Sequence, residues 1–258
     1  MNERPLFAFS PYKPALVCSL SDRTAAETIC SIREGISDGA DGFLLHLEKL
    51  VPEDRNEQSL HRIFSYLQHR PVMVTNYRYE NTAPDEVILD ELMVALRAGA
   101  SCLDLMCDLF DRQEPQLPTR KPEAVEKLRA AIDAVHAEGG QVLLSSHPCH
   151  LTTEQLIDNM LYMESLEADI VKTAMGCDTY EQSVEAVAQT YALKKVLHVP
   201  YYFGLGGRYS RAHRLIAPLY GSAFIFCVPH YGTNTQLCKP LLRAVRRVVD
   251  NFDYGIDR

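Results

Sequence analysis

Eight short apolar runs, each followed by a segment of helical periodicity, constrain this chain more than any other feature. The runs are "ALVCSL" (15–20), "GFLLHL" (42–47), "PVMVT" (71–75), "SCLDLM" (101–106), "QVLLSS" (141–146), "ADIVK" (168–172), "KVLHVPY" (195–201) and "GSAFIF" (221–226). Each has the length of a strand, and most are apolar on both faces, as strands covered on both sides must be. Between them, Leu60, Ile63, Phe64 and Leu67 fall at i, i+3, i+4 and i+7. Val125, Leu128, Ile132 and Val135 make a second stripe, and Leu237, Leu241, Val245 and Val248 a third. "TTEQ" after the fifth run offers a capping hydroxyl at a helix start. Glycines follow helices in "SDGADG" and "AEGGQV". Eight strand–helix units in 258 residues predict one domain over 1–258, a single (β/α)8 TIM barrel. A doubly wound open sheet is the alternative. Its glycine-rich turn belongs after the first strand, whereas "GLGGRYS" (204–210) follows the seventh.

Charge narrows the partners. A net charge of −8 and a pI near 5.6 leave no dominant basic face for nucleic acid. Arg243, Arg246 and Arg247 at helical spacing read as a solvated face. No apolar run approaches the ~20 residues needed to cross a bilayer. "MNERPLFAFSPYKP" is charged and broken by proline, unlike a signal peptide, so a cytoplasmic location is expected. The eight cysteines sit in apolar segments such as "ALVCSL" and "FIFCVP" and read as buried, reduced thiols. "HPCH" (His147, Cys149, His150) is too tight for a zinc set, so neither a metal nor a cofactor is expected. The expected partner is a small-molecule substrate, and a homodimer is compatible with the chain.

A barrel of this kind builds its active site at the C-terminal ends of its strands. Lys172 ends the sixth run, inside "EADIVKTAMG". A lysine is almost never buried unless paired, so this one either reaches water or reacts. His147 ends the fifth run, and Arg78 and Glu80 follow the third. Ser210 and Arg211 follow the seventh, and Thr233, Asn234 and Gln236 the eighth. Alone, each reads as a solvated or hydrogen-bonded rim residue, and "GLGG" as a turn or a phosphate loop. Together they suit an amine nucleophile. Neighbouring cations and apolar walls favour the free amine, and an imidazole beside it can shuttle protons.

At these residues the chain resembles the type I 3-dehydroquinate dehydratases. Their "SxH" on strand five reads Ser145-Ser146-His147, and their "ADIxKxA" on strand six reads Ala168 to Ala174 around Lys172. Their "GxxSR" reads Gly207 to Arg211, and their "FGS" reads Tyr220-Gly221-Ser222. The resemblance implies a lyase of the shikimate pathway, on the route to aromatic amino acids, converting 3-dehydroquinate to 3-dehydroshikimate through a Schiff base. It implies Lys172 as the imine-forming amine, His147 as the proton carrier and Glu80 as the acid orienting it. It also implies Arg78, Ser210, Arg211, Thr233, Gln236 and His46 as substrate-binding residues. The family's Glu-x-Arg on strand two reads Leu44-Leu45-His46 here, and Glu80 stands two residues after Arg78 rather than four. Both departures point to an altered substrate. Another imine-forming lyase or class I aldolase, or a non-catalytic barrel of the same descent, are the competing readings.

Overall fold

The computed structural model describes residues 4–10, 13–78, 82–233 and 235–251. Strands and helices alternate as β1 (Ala15–Leu20), α1 (Ala25–Ser37), β2 (Gly42–His46), α2 (Glu57–Phe64), β3 (Val72–Thr75), α3 (Asp85–Arg97), β4 (Cys102–Met106) and α4 (Pro122–Ala137). They continue as β5 (Gln141–Ser146), α5 (Thr153–Glu164), β6 (Ile170–Gly176), α6 (Tyr180–Lys194), β7 (Tyr201–Gly206), α7 (Ser210–Ile216), β8 (Phe224–Cys227) and α8 (Leu242–Val249). The sheet runs β7-β6-β5-β4-β3-β2-β1-β8, all pairs parallel. Its ends meet where Ala223 N–H donates to Tyr201 O at 2.8 Å. The result is the predicted (β/α)8 barrel, nearly closed.

Side-chain alternation splits the core in two. Outward positions such as Leu16, Cys18, Phe43, Leu45, Val72, Leu144 and Phe203 pack against the helices. Inward positions Val17, Leu44, Met73, Cys102, Leu143, Ile170 and Phe224 form an apolar plug inside the barrel, joined by Phe7 from the N-terminal segment. Gln141 fixes that segment across the bottom of the barrel, accepting from Phe7 N–H at 2.8 Å and donating to Phe7 O at 3.1 Å. One inward step above the plug the residues turn polar: Ser19, His46, Thr75, Asp104, Ser145 and Lys172. Leu44 does face inward, but it belongs to the plug, and His46 alone of that pair reaches the polar layer.

Several sequence boundaries move for physical reasons. Lys172 is the third residue of a seven-residue strand, not its end, because small Ala174 and Gly176 let β6 pair on with β7 to Gly206. β7 begins at Tyr201 rather than at Lys195, since α6 runs on to Lys194 and Pro200 precedes the strand. "GLG" is therefore strand rather than turn. Gly204 makes room for Tyr202, whose ring a Cβ there would strike. The third stripe starts late. Leu237 is 66% exposed, and the buried face of α8 is Leu242, Val245 and Val249. Thr152 does cap α5, with Gln155 completing the box. All eight cysteines are free, but Cys30 and Cys149 are exposed and Cys238 is half-buried, leaving five buried. Among the described residues no helix is long and apolar enough to cross a membrane.

Candidate active site

Lys172 is buried because it is paired. Only 4% of it is exposed, and Nζ donates to Asp104 Oδ2 at 2.7 Å and, closely, to the Tyr77 hydroxyl. Tyr77 in turn donates to Asp104 Oδ2 at 2.6 Å, while among the described residues Asp104 Oδ1 is buried with no hydrogen-bond partner. A buried ion pair needs such added hydrogen bonds to offset its desolvation. Burial and the Asp104 charge push the Tyr77 phenol well above its usual range, so it stays a neutral donor. Asp104 stands beside Thr75, and Thr75 beside His46, along one row of the sheet.

His147 follows the end of β5, and its ring meets Tyr77 edge-on with centroids 4.9 Å apart. Its tautomer is set from outside the barrel. Asp108 can only accept, so it takes the Gln116 amide nitrogen at 3.0 Å. That turns Gln116 Oε1 toward His147 Nδ1, at 2.7 Å, and the proton must sit on Nδ1. Nε2 is left with a lone pair. Burial and the positive charge of Lys172 hold His147 well below its ordinary pKa, so the ring is neutral near pH 7 and can accept a proton.

Arg78 holds this scaffold rather than lining the pocket. It grips Asp85 at 2.6 and 2.8 Å and Asp108 at 2.7 Å, completing a chain from Arg78 through Asp108 and Gln116 to His147. Glu80, predicted as the orienting acid, and Asn234 lie outside the described residues.

On the other side of the mouth, His46 is buried between Glu48, 2.9 Å from Nδ1, and Ser19, 3.1 Å from Nε2. Lys239 approaches the same place from the loop after β8. Its Nζ donates to Ser19 at 2.6 Å and lies 3.2 Å from His46 Nε2. Burial, then the charge of Arg214, pulls the Lys239 amine down to about 7.

The residues after β7 and β8 divide between rim and interior. Ser210 is buried and closes the turn by donating to Gly207 O at 2.8 Å. Arg211 is exposed and tied to the next loop, donating to Leu237 O at 2.9 and 2.6 Å and to the Tyr231 hydroxyl at 2.8 Å. Thr233 and Gln236 are exposed on that loop; Thr233 and Ser19 line a depression in the mouth. Arg214, one turn after Arg211, is the buried arginine, donating to Leu205 O at 2.7 Å and to the Tyr202 hydroxyl. Among the described residues, no three His, Cys, Asp or Glu side chains stand close enough together to hold a metal ion.

The structure thus gathers Lys172, His147 and His46 in one pocket and leaves Arg211, Thr233 and Gln236 on its rim. Asp104 and Ser19 carry a signal that sequence reading passed over: each is a polar residue at an inward position of an apolar run, as Lys172 is. Tyr77, Gln116, Asp108, Arg214 and Lys239 lie in loops or on a helix, where no period marks them.

No family model matches the chain. Two curated proteins of Klebsiella pneumoniae, from strains ATCC 700721 / MGH 78578 and 342, do match. Each is a 3-dehydroquinate dehydratase, 27% identical over 198 residues, covering 76% of this chain and 73% of the relative. Among solved structures, the type I 3-dehydroquinate dehydratase of Clostridium difficile, with covalently modified comenic acid, superposes with a TM-score of 0.80 at 14% identity over 96% of this chain and 95% of that one. The 3-dehydroquinate dehydratase of Geobacillus kaustophilus HTA426 gives 0.77 at 15% identity, over 92% and 90%. These structures share the fold, and the Klebsiella sequences share residues along most of it. The chain is thus similar in sequence to 3-dehydroquinate dehydratases and similar in fold to solved enzymes of that name.

Proposed function

We propose that the chain is a hydro-lyase that dehydrates 3-dehydroquinate to 3-dehydroshikimate through an imine on Lys172. The observation that carries this is a buried amine with a proton acceptor, Asp104, and a neutral imidazole, His147, in adjoining positions. Lys172 gives up a proton to Asp104 and attacks the C3 ketone; loss of water leaves a protonated imine. That iminium is the electron sink for removal of the C2 proton, which His147 accepts at Nε2. The electrons return from C2 to form the C1–C2 double bond as the C1 hydroxyl leaves, taking the proton from His147. Water then hydrolyses the imine, freeing the enone and Lys172.

His46 would face the substrate from β2, backed by Glu48. Arg211, Thr233 and Gln236 would meet the substrate at the entrance, with Ser210 supporting the turn beneath it. Arg78 would act through the chain that orients His147. Glu80 is retained as a further orienting acid. We place the reaction in the shikimate pathway and in the cytoplasm, with a homodimer and no nucleic-acid partner as further expectations. A turnover assay following the enone absorbance of the product tests the proposal. Turnover of 3-dehydroquinate supports it; no turnover, with Lys172 trapped by other keto acids, would assign the imine chemistry to a different substrate.

A further inference from the structure

One buried amine has no part in that reaction. Lys239 is as buried as Lys172, 4% exposed, and its segment is pinned beside the end of β8. Val228 N–H donates to Pro240 O, and Leu242 N–H to Val228 O, both at 2.9 Å. Both lysine nitrogens lie over the ring of Phe226, Lys172 at 5.6 Å and Lys239 at 5.7 Å from its centre. The two amines therefore flank one aromatic wall of one pocket.

Their company differs. Lys172 has Asp104, whereas among the described residues no carboxylate stands within ion-pair distance of Lys239. Its partners are the Ser19 hydroxyl and His46 Nε2, and Glu48 lies beyond the imidazole. Arg214, also buried, donates to a carbonyl and a phenol and to no carboxylate among the described residues. A buried cation without a counter-ion is costly, and a fold that retains one is prepared to receive an anion. Ser19 links this amine to the surface: it accepts from Lys239 and also lines an open depression with Asp22, Arg23, Glu27 and Thr233.

We propose that Lys239, with Ser19 and His46, forms an oxyanion-binding subsite on the β1–β2 side of the pocket, which takes a carboxylate of the substrate. The pairing of that carboxylate with a ketone on Lys172 rests on the imine reading above; anion binding itself does not.

The test separates the two. Quinate has the carboxylate and hydroxyls but no ketone, so it cannot form an imine. It should raise the Tm of the wild type and of Lys239→Arg, and leave Lys239→Met unmoved; quinamide, which lacks the charge, should stabilise none of them. In borohydride trapping with 3-dehydroquinate, Lys239→Met should raise the concentration that half-saturates the Lys172 adduct by about thirtyfold, and Lys239→Arg should restore most of it. Should Lys239→Met fail to fold, Lys239→Gln is read in the same way. Equal stabilisation of Lys239→Met and wild type by quinate, or an adduct on Lys239 itself, overturns the proposal. Lys239-dependent stabilisation by quinate, with no ketone adduct on Lys172, keeps the subsite and rejects the imine.

Discussion

Two lysines, equally buried in the same barrel, occupy opposite electrostatic settings. Lys172 grows from β6 into a carboxylate and a phenol, while Lys239 drops from a loop onto a hydroxyl and an imidazole. The first setting pairs the amine with a carboxylate and a phenol oxygen. The second leaves the amine near its neutral point at about 7 and ready for an outside anion. Burial alone therefore does not say what a lysine is for; the partner does.

The largest separation between the two should come from methionine substitution. Lys172→Met removes the proposed nucleophile, and turnover should fall by at least about 10⁴-fold, to the background rate. It also leaves Asp104 buried with Tyr77 as its remaining donor, which should lower stability by about 3 kcal/mol. Adding Asp104→Asn should recover most of that stability and none of the activity. Lys239→Met removes an amine with no carboxylate partner, so its Tm should be unchanged or raised. Chemical denaturation of the three variants checks this, and equal destabilisation by both lysine changes would break the contrast.

Next in size is the effect expected at His147, the proposed proton carrier beside Lys172. His147→Ala should slow turnover by about 10²–10⁴-fold while the imine still forms and accumulates. Gln116→Ala frees the ring rather than removing it, so a loss of about tenfold is expected, in kcat more than in KM. Steady-state kinetics with single-turnover trapping distinguishes the two. Full activity in His147→Ala would move the proton transfer to another group.

A further contrast is a pH dependence contributed by Lys239. Its folded-state pKa, about 7, lies below the 10.5 of the unfolded chain, so the unfolded state binds the proton more tightly between those values. Stability should therefore rise with pH from about 7 toward 10.5 through this group, and the penalty is fully present below 7. Lys239→Met should lack that part of the slope. Unfolding free energies measured across this range in both proteins give the difference directly.

The barrel was legible because its signal repeats eight times, and an error in one unit, such as the late start of β7, leaves the order intact. Lys172 was legible as a charge in an apolar strand, and Asp104 would have been by the same rule. Gln116 and Lys239 were not. Each reaches the pocket from a loop, through hydrogen bonds to residues 31 and 220 positions away respectively, and local periodicity carries no trace of such a closure. Arg211 and Arg214 show the limit of a motif. A three-residue offset on one helix decides which arginine points inward, and only the packing of α7 on β7 settles it.

Peptide mapping after borohydride reduction in the presence of 3-dehydroquinate tests the central claim most directly. The account predicts a single reduced adduct on Lys172, formed in the wild type and in Lys239→Met and absent from Lys172→Met. An adduct on Lys239, or none on any lysine while 3-dehydroquinate is consumed, would contradict it.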